Sequence, residues 1–112
     1  MLDNEKVYEV PSKKEKWAWK IVCEYKDKLL TGNTGGVLLR RCEWMNALEC
    51  HNWMGCDDGS WLTFSTRSGA QRLCESEDDK VAKVKIKGII SEGDFFSEKA
   101  YLSTSIYFPC ST

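Results

Sequence analysis

Hydrophobic and polar residues alternate along three stretches of the chain: WAWKIVCEY (17–25), VAKVKIKGII (81–90) and YLSTSIYF (101–108). A repeat of two residues is typical of a β-strand that buries one face. KVYEV (6–10) and WLTFST (61–66) are shorter strand candidates. The sequence therefore predicts four to five strands.

The stretch from Val37 to Met54 has a different pattern, with good helix formers and neither Pro nor Gly. Asn33 or Thr34 offers an N-terminal cap, and Gly55 offers a C-terminal stop. These features predict one main α-helix over about 37–54.

The order of the predicted elements indicates the fold class. Strands, one main helix and further strands predict an α+β fold, in which the 37–54 helix packs on one face of a mostly antiparallel sheet. A capping pattern of Ser68 with Gln71 predicts a second, short helix that continues to Cys74. We expect residues 1–112 to form a single domain.

Composition narrows the functional classes. A content of 42% hydrophobic and 12% aromatic residues is typical of a folded globule. The net charge of −1 predicts no global field that attracts nucleic acid or an anionic membrane. No apolar run approaches the roughly 20 residues of a bilayer helix, and the start lacks the apolar region of a signal peptide. We therefore expect a cytoplasmic protein that does not contact membranes.

The six cysteines allow two interpretations. They stay reduced in a cytosolic protein but form a disulfide framework in many small secreted ones. We favour reduced thiols. The alternative is a secreted, disulfide-stabilised effector or ligand-binding module, in which Met1 replaces a signal peptide and Cys23 and Cys110 join neighbouring strands.

The stretch CEWMNALECHNWMGC (42–56) raises the question of a metal or thiol site. On a continuous helix Cys42 and Cys50 lie about 12 Å apart along the axis, too far for a disulfide or for shared zinc ligation. A thiol near a helix C-terminus is also a weak nucleophile. We therefore expect no catalytic residue and no cofactor. A zinc-binding or thiol-dependent enzyme is the alternative, and its candidate ligands are Cys50, His51, Cys56 and Cys74.

Five tryptophans are more than one small core readily buries. Trp, Met and Arg are enriched where proteins bind each other. We therefore expect a partner surface around the main helix, formed by Arg40, Arg41, Trp44, Trp53 and Met54.

A basic row offers a second class of partner. Lys83, Lys85 and Lys87 share one strand face, and with Lys20 and Lys26 they could contact the phosphates of a nucleic acid. The acidic stretch ESEDD (75–79) weakens that field. Nucleic acid is therefore the second choice of partner.

The closing stretch AKVKIKGIISEGD, followed by KAYLSTSIYF, resembles the final strand pair of small domains of phage and bacterial proteins. In size and composition the whole chain is similar to small phage accessory proteins that bind host defence proteins. The resemblance implies a viral anti-defence role. We therefore expect a non-enzymatic protein-binding domain, an inhibitor or accessory protein of phage or bacterial type.

Overall fold

The computed structural model describes residues 2–26, 28–31, 38–47 and 60–110. They form a seven-stranded sheet and one short helix, α1 (Arg67–Arg72). The strands are β1 (Asp3–Ser12), β2 (Lys16–Tyr25), β3 (Lys28–Thr31), β4 (Trp44–Asn46), β5 (Trp61–Phe64), β6 (Asp79–Phe95) and β7 (Glu98–Tyr107).

The sheet closes on itself. All seven strands pair antiparallel, in the order β1-β6-β2-β5-β7-β4, with β3 on β2. An additional pairing of β6 with β7 joins distant members of that order. Since β5 pairs with β2 through Trp19 and Phe64, the strands β2, β6, β7 and β5 form a closed ring.

A bend in β6 allows this closure. Gly88 has a φ of +69°, a conformation that is costly for any residue with a Cβ atom. The register with β7 shifts between Ile89 and Ser91, as at a β-bulge. The first part of β6 therefore pairs with β2, and the last part turns away to pair with β1.

Two groups of buried side chains hold the fold together. The inner core fills the closed sheet and includes Trp61, Val84, Ile86, Ile106 and Phe108. A second core lies on the outer face beneath α1, where Ile21, Phe64 and Ala70 meet. Helix α1 thus covers only one part of the outer face.

The mostly antiparallel sheet is confirmed, but the prediction of four to five strands was too low. The prediction of a helix over 37–54 is wrong for residues 38–46, and Ala47 is the one described residue of that range with helical structure. Leu38 and Arg41 form isolated bridges, Cys42 has a φ of +69°, and β4 follows. Helix propensity is only a weak preference of the backbone. In this segment the burial of the Leu39 and Met45 side chains outweighs it and favours an extended conformation. Residues 48–54 lie outside the described residues.

The short helix is confirmed with a different cap. The Thr66 side chain, not that of Ser68, accepts a hydrogen bond from the Gly69 amide at 3.0 Å. In the described ranges, no helix combines the length and the apolar character needed to cross a membrane.

Candidate binding surface on the outer face of the sheet

Four side chains form a row across four neighbouring strands. Trp17 on β2 is the register partner of Lys85 on β6. Lys85 is in turn the partner of Tyr107 on β7, and Tyr107 is the partner of Trp44 on β4. Register partners in a sheet project from the same face. We name the surface formed by this row and its flanking lysines the tryptophan–lysine face; its members are Trp17, Trp44, Lys83, Lys85, Lys87 and Tyr107.

The alternation along each strand produces this surface. On β6, Val84 and Ile86 are fully buried in the inner core, so the three lysines that alternate with them point outward. On β2, Ala18 is buried and Trp17 points the opposite way. On β4, Met45 is buried and Trp44 faces outward. One set of buried residues therefore fixes the direction of the whole face.

Lysine ammonium groups lie beside the tryptophan rings. The Nζ atoms of Lys83 and Lys85 are 4.9 and 5.0 Å from the ring centroid of Trp17. The Nζ atom of Lys87 is 4.2 Å from that of Trp44. These distances are within the range of cation–π attraction. The Trp44 and Tyr107 rings are 5.4 Å apart and tilted by 42°, so the face is a connected layer of rings and cations.

Exposure differs along the face. Trp17 is 49% exposed, whereas Trp44 and Tyr107 are partly buried. Trp19 also points outward but packs against the core under α1, and the Arg67 guanidinium lies 6.0 Å from its ring. The accessible part of the face therefore runs from Trp17 away from α1.

Positive charge is concentrated on this face although the chain carries a net charge of −1. Lys85 pairs with Glu15 at 3.7 Å. Lys83 and Lys87 form no ion pair with the carboxylates of the described ranges. Elsewhere, ion pairs join Arg40 with Glu43, Arg72 with Glu98, and Lys80 with Glu24, among others. The face thus has cations available for an anionic ligand.

The structure brings together only part of the predicted partner surface. Trp44 belongs to the tryptophan–lysine face. Arg40 is exposed and pairs with Glu43 at 3.0 Å, and the exposed Arg41 donates from Nη1 to the Pro109 carbonyl. Trp53 and Met54 lie outside the described residues.

The predicted basic row is confirmed for its three central lysines but not for Lys20. Lys20 is the register partner of Ala82 and is only 7% exposed, because it shares the inward face of β2 with Ala18. Lys26 is exposed just beyond β2.

The cysteines include a disulfide between Cys42 and Cys110, whose Cα atoms are 4.4 Å apart. The expectation of reduced thiols is therefore wrong for these two residues, and so is the pairing of Cys23 with Cys110. The expectation of reduced thiols came from the prediction of a cytoplasmic protein. The pairing of Cys23 with Cys110 came from placing both on neighbouring strands, while the predicted helix left Cys42 without a position beside the end of β7. Cys23 and Cys74 are free thiols.

The two free thiols are poor nucleophiles. Burial, with the charge of Asp79, raises the pKa of Cys74, and burial with Asp78 and Asp79 raises the pKa of Cys23. A raised pKa lowers the fraction of reactive thiolate at neutral pH.

The predicted zinc ligands are only partly described. Cys74 contacts the Ala70 carbonyl, with its Sγ atom 3.7 Å from the oxygen. Within the described ranges, no three His, Cys, Asp or Glu side chains are grouped to hold a metal ion. Cys50, His51 and Cys56 lie outside the described residues, so the zinc site stays a prediction.

Sequence reasoning missed Trp17 and Tyr107 as site residues. The alternation of residues placed Trp17 on one face of β2 and the three lysines on one face of β6. That pattern was the signal in the sequence that could have identified the surface. The sequence did not show that β2, β6, β7 and β4 lie side by side.

Comparison of the chain with protein families, with curated proteins and with solved structures finds no match. A functional proposal therefore depends on the geometry of the face.

Proposed function

We propose that this chain is a non-enzymatic binding domain that holds single-stranded nucleic acid on the tryptophan–lysine face. The observation that carries the proposal is the row of Trp17, Lys85, Tyr107 and Trp44 across four strands. Aromatic rings on which bases stack, combined with cations that follow the phosphates, are the two recurring components of single-strand binding surfaces.

The dimensions of the face suit an unpaired strand. Trp17 and Trp44 are separated by three strand spacings, about 14 Å. Several bases can be placed over such a length with their phosphates near Lys83, Lys85 and Lys87. Bases of a duplex are already stacked on each other and cannot lie on the rings. The proposal therefore specifies single-stranded rather than double-stranded nucleic acid.

The lysines also preorganise the tryptophan side chains for binding. Cation–π contacts from Lys83 and Lys85 to Trp17, and from Lys87 to Trp44, limit the rotamers of both tryptophans. Less side-chain freedom is then lost when a base stacks.

The lysine content distinguishes this surface from an average protein interface. Lys is depleted in the centre of protein–protein interfaces, whereas Trp, Tyr and Arg are enriched. Here three lysines stand between the aromatic side chains. That arrangement supports a polyanionic ligand over a neutral protein surface.

The test is fluorescence anisotropy with a labelled oligo(dT) of about 15 nucleotides at about 50 mM salt. We expect Trp17→Ala to weaken binding about tenfold, since one stacked base contributes roughly 1–3 kcal/mol. Phe96→Ala is the matched control, because Phe96 is 67% exposed and lies in the β6–β7 turn, outside the face. Absence of binding by the wild type, or equal losses in both variants, would refute the proposal.

A second candidate is the protein-binding role expected from the sequence, an inhibitor or accessory protein. Arg40 and Arg41 are exposed close in sequence to Trp44, and Arg and Trp often dominate the energy of protein interfaces. This role is favoured if crosslinking captures one protein whose recovery falls in both Arg41→Ala and Trp44→Ala but not in Phe96→Ala, while oligo(dT) does not bind.

A further inference from the structure

The Cys42–Cys110 disulfide lies at one end of the tryptophan–lysine face. Cys42 precedes Trp44 by two positions, and Cys110 follows Tyr107 by three. The Tyr107 hydroxyl lies 3.7 Å from the Cys110 Sγ atom. The bond therefore directly contacts a member of the face and stands close in sequence to another.

The disulfide belongs to a short junction between two segments. The Cys42 amide donates to the Phe108 carbonyl at 2.8 Å, and Arg41 forms an isolated parallel bridge with Phe108. Arg41 Nη1 also donates to the Pro109 carbonyl at 3.3 Å. Arg41, Cys42 and Cys110 are exposed, whereas the Phe108 side chain is buried in the inner core. The disulfide is the covalent link between the two segments.

The segment before β4 is also held at Leu39, which is buried and whose amide donates to the Leu29 carbonyl at 2.8 Å. Residues 40–43 lie between Leu39 and β4, and the disulfide joins them to the end of β7.

Strand β4 carries Trp44. It has three residues and, within the described ranges, pairs along its length only with β7. Met45 anchors the middle of β4. The Met45 side chain is buried, and the Met45 carbonyl accepts a hydrogen bond from Trp61 Nε1 at 3.1 Å. In the sequence, Trp44 lies between the anchored Met45 and the disulfide-bonded Cys42.

We propose that the Cys42–Cys110 disulfide is a redox latch for the Trp44 end of the face, an inference that rests on the proposed function. In the oxidised form the bond holds Trp44 against Tyr107 and Lys87. In the reduced form residues 40–43 separate from the end of β7, and Trp44 loses its fixed position. Single-stranded nucleic acid then binds more weakly.

The chemistry requires a dithiol reductant that can reach the bond. Both cysteines are exposed. A thiolate of the dithiol attacks one sulfur, the S–S bond breaks, and the second thiol of the reductant resolves the mixed disulfide. Two electrons pass to the protein, Cys42 and Cys110 each take up one proton, and the dithiol becomes a disulfide. Oxidising compartments keep such bonds, whereas the cytosol reduces them.

The experiment uses the full chain and two readouts. Anisotropy with the labelled oligo(dT) is measured before and after addition of dithiothreitol, and amide hydrogen exchange is followed in both states. We expect reduction to weaken binding about five- to tenfold, as for the loss of one stacking partner. Exchange should rise in residues 40–46 and stay unchanged in 17–23 and 81–87.

The double variant Cys42→Ser with Cys110→Ser is the control. It should bind as weakly as the reduced wild type and should not respond to dithiothreitol. The latch is refuted if exchange in 40–46 does not change, if exchange rises over the whole sheet, or if affinity is equal in both redox states. If neither form binds oligo(dT), the proposed function fails, and exchange alone decides the latch: a rise confined to 40–46 supports it.

Discussion

The Lys87 ammonium lies 4.2 Å from the Trp44 ring centroid although a whole strand, β7, separates their backbones. Between them on β7 is Ser105, the register partner of Lys87 on one side and of Asn46 on the other. A side chain as small as serine leaves room for the lysine to reach over it. The face is therefore continuous from β2 to β4, which the proposed ligand requires.

Salt should weaken binding to a degree set by the lysines of the face. If Lys83, Lys85 and Lys87 each contact one phosphate, the plot of log affinity against log salt concentration for a single strand has a slope of about −2. Lys85→Ala should reduce that slope by about 0.7. Anisotropy titrations at several salt concentrations measure it.

Lys80→Ala is the matched control for charge alone, because Lys80, like Lys85, pairs with one glutamate but lies outside the tryptophan–lysine face. An equal change of slope in Lys80→Ala and Lys85→Ala would show that binding follows overall charge rather than this face.

Trp44 and Trp61 should respond differently to substitution by phenylalanine. Trp44→Phe keeps a ring on the face and should retain most of the affinity for oligo(dT). Trp61 is 1% exposed, and its Nε1 atom donates to the Met45 carbonyl. Trp61→Phe should therefore lower the free energy of unfolding by roughly 1–3 kcal/mol, through a cavity and a lost hydrogen bond. Urea denaturation measures the second effect; similar stabilities of the two variants would contradict the assignment.

Gly88→Ala should destabilise the fold. The φ of +69° strains any residue with a Cβ atom, and that atom would meet the Thr104 hydroxyl oxygen. We expect a loss of about 1–3 kcal/mol in the free energy of unfolding. Addition of Thr104→Ala should recover the steric part of this loss and leave the conformational part. Thermal melts of Gly88→Ala, Thr104→Ala and the double variant separate the two terms; full recovery would show that φ carries no cost.

Alkylation of the free thiols should report on two aspartates. Because the carboxylates raise the pKa of each thiol, their removal should lower it and increase the thiolate fraction at a given pH. Asp79→Asn should therefore shift the pH dependence of alkylation to lower pH for both Cys23 and Cys74. Asp78→Asn should shift Cys23 and leave Cys74 nearly unchanged, because Asp79 is the carboxylate that raises the pKa of Cys74. Mass spectrometry after iodoacetamide pulses gives the two rates; a shift of Cys74 in Asp78→Asn would contradict the assignment.

Period-two alternation predicted the strands well because inner-core burial imposes it on each strand. The candidates at 17–25 and 81–90 lie in strands of the sheet, and so does the third candidate over 101–107. Their lengths were less predictable, since β6 continues through the SEGD segment that has the composition of a turn. Pairing with β1 and β7 along this segment satisfies its backbone and overrides local preference.

The region around Cys42 shows why the site could not be derived from sequence. Its helix-forming residues predicted α-structure, but burial of Met45 and the bond to Cys110 place it as an edge strand. Trp44 was predicted to lie on a helix, as part of a partner surface. It instead lies on the tryptophan–lysine face because it is the register partner of Tyr107. Such neighbours follow from strand order, which alternation does not encode.

The central position of β6 has a consequence for the order in which the protein can fold during synthesis. Strand β1 is made first, yet in the described ranges it pairs only with β6, and β6 also supplies a partner to β2 and β7. Until the ribosome has released Asp79–Phe95, the exposed valines of β1 have no strand beside them. Strand β1 must therefore stay unpaired through most of the synthesis, although β2 can pair with β3 much earlier. Closure of the sheet, with its many non-local contacts, is expected to be slow.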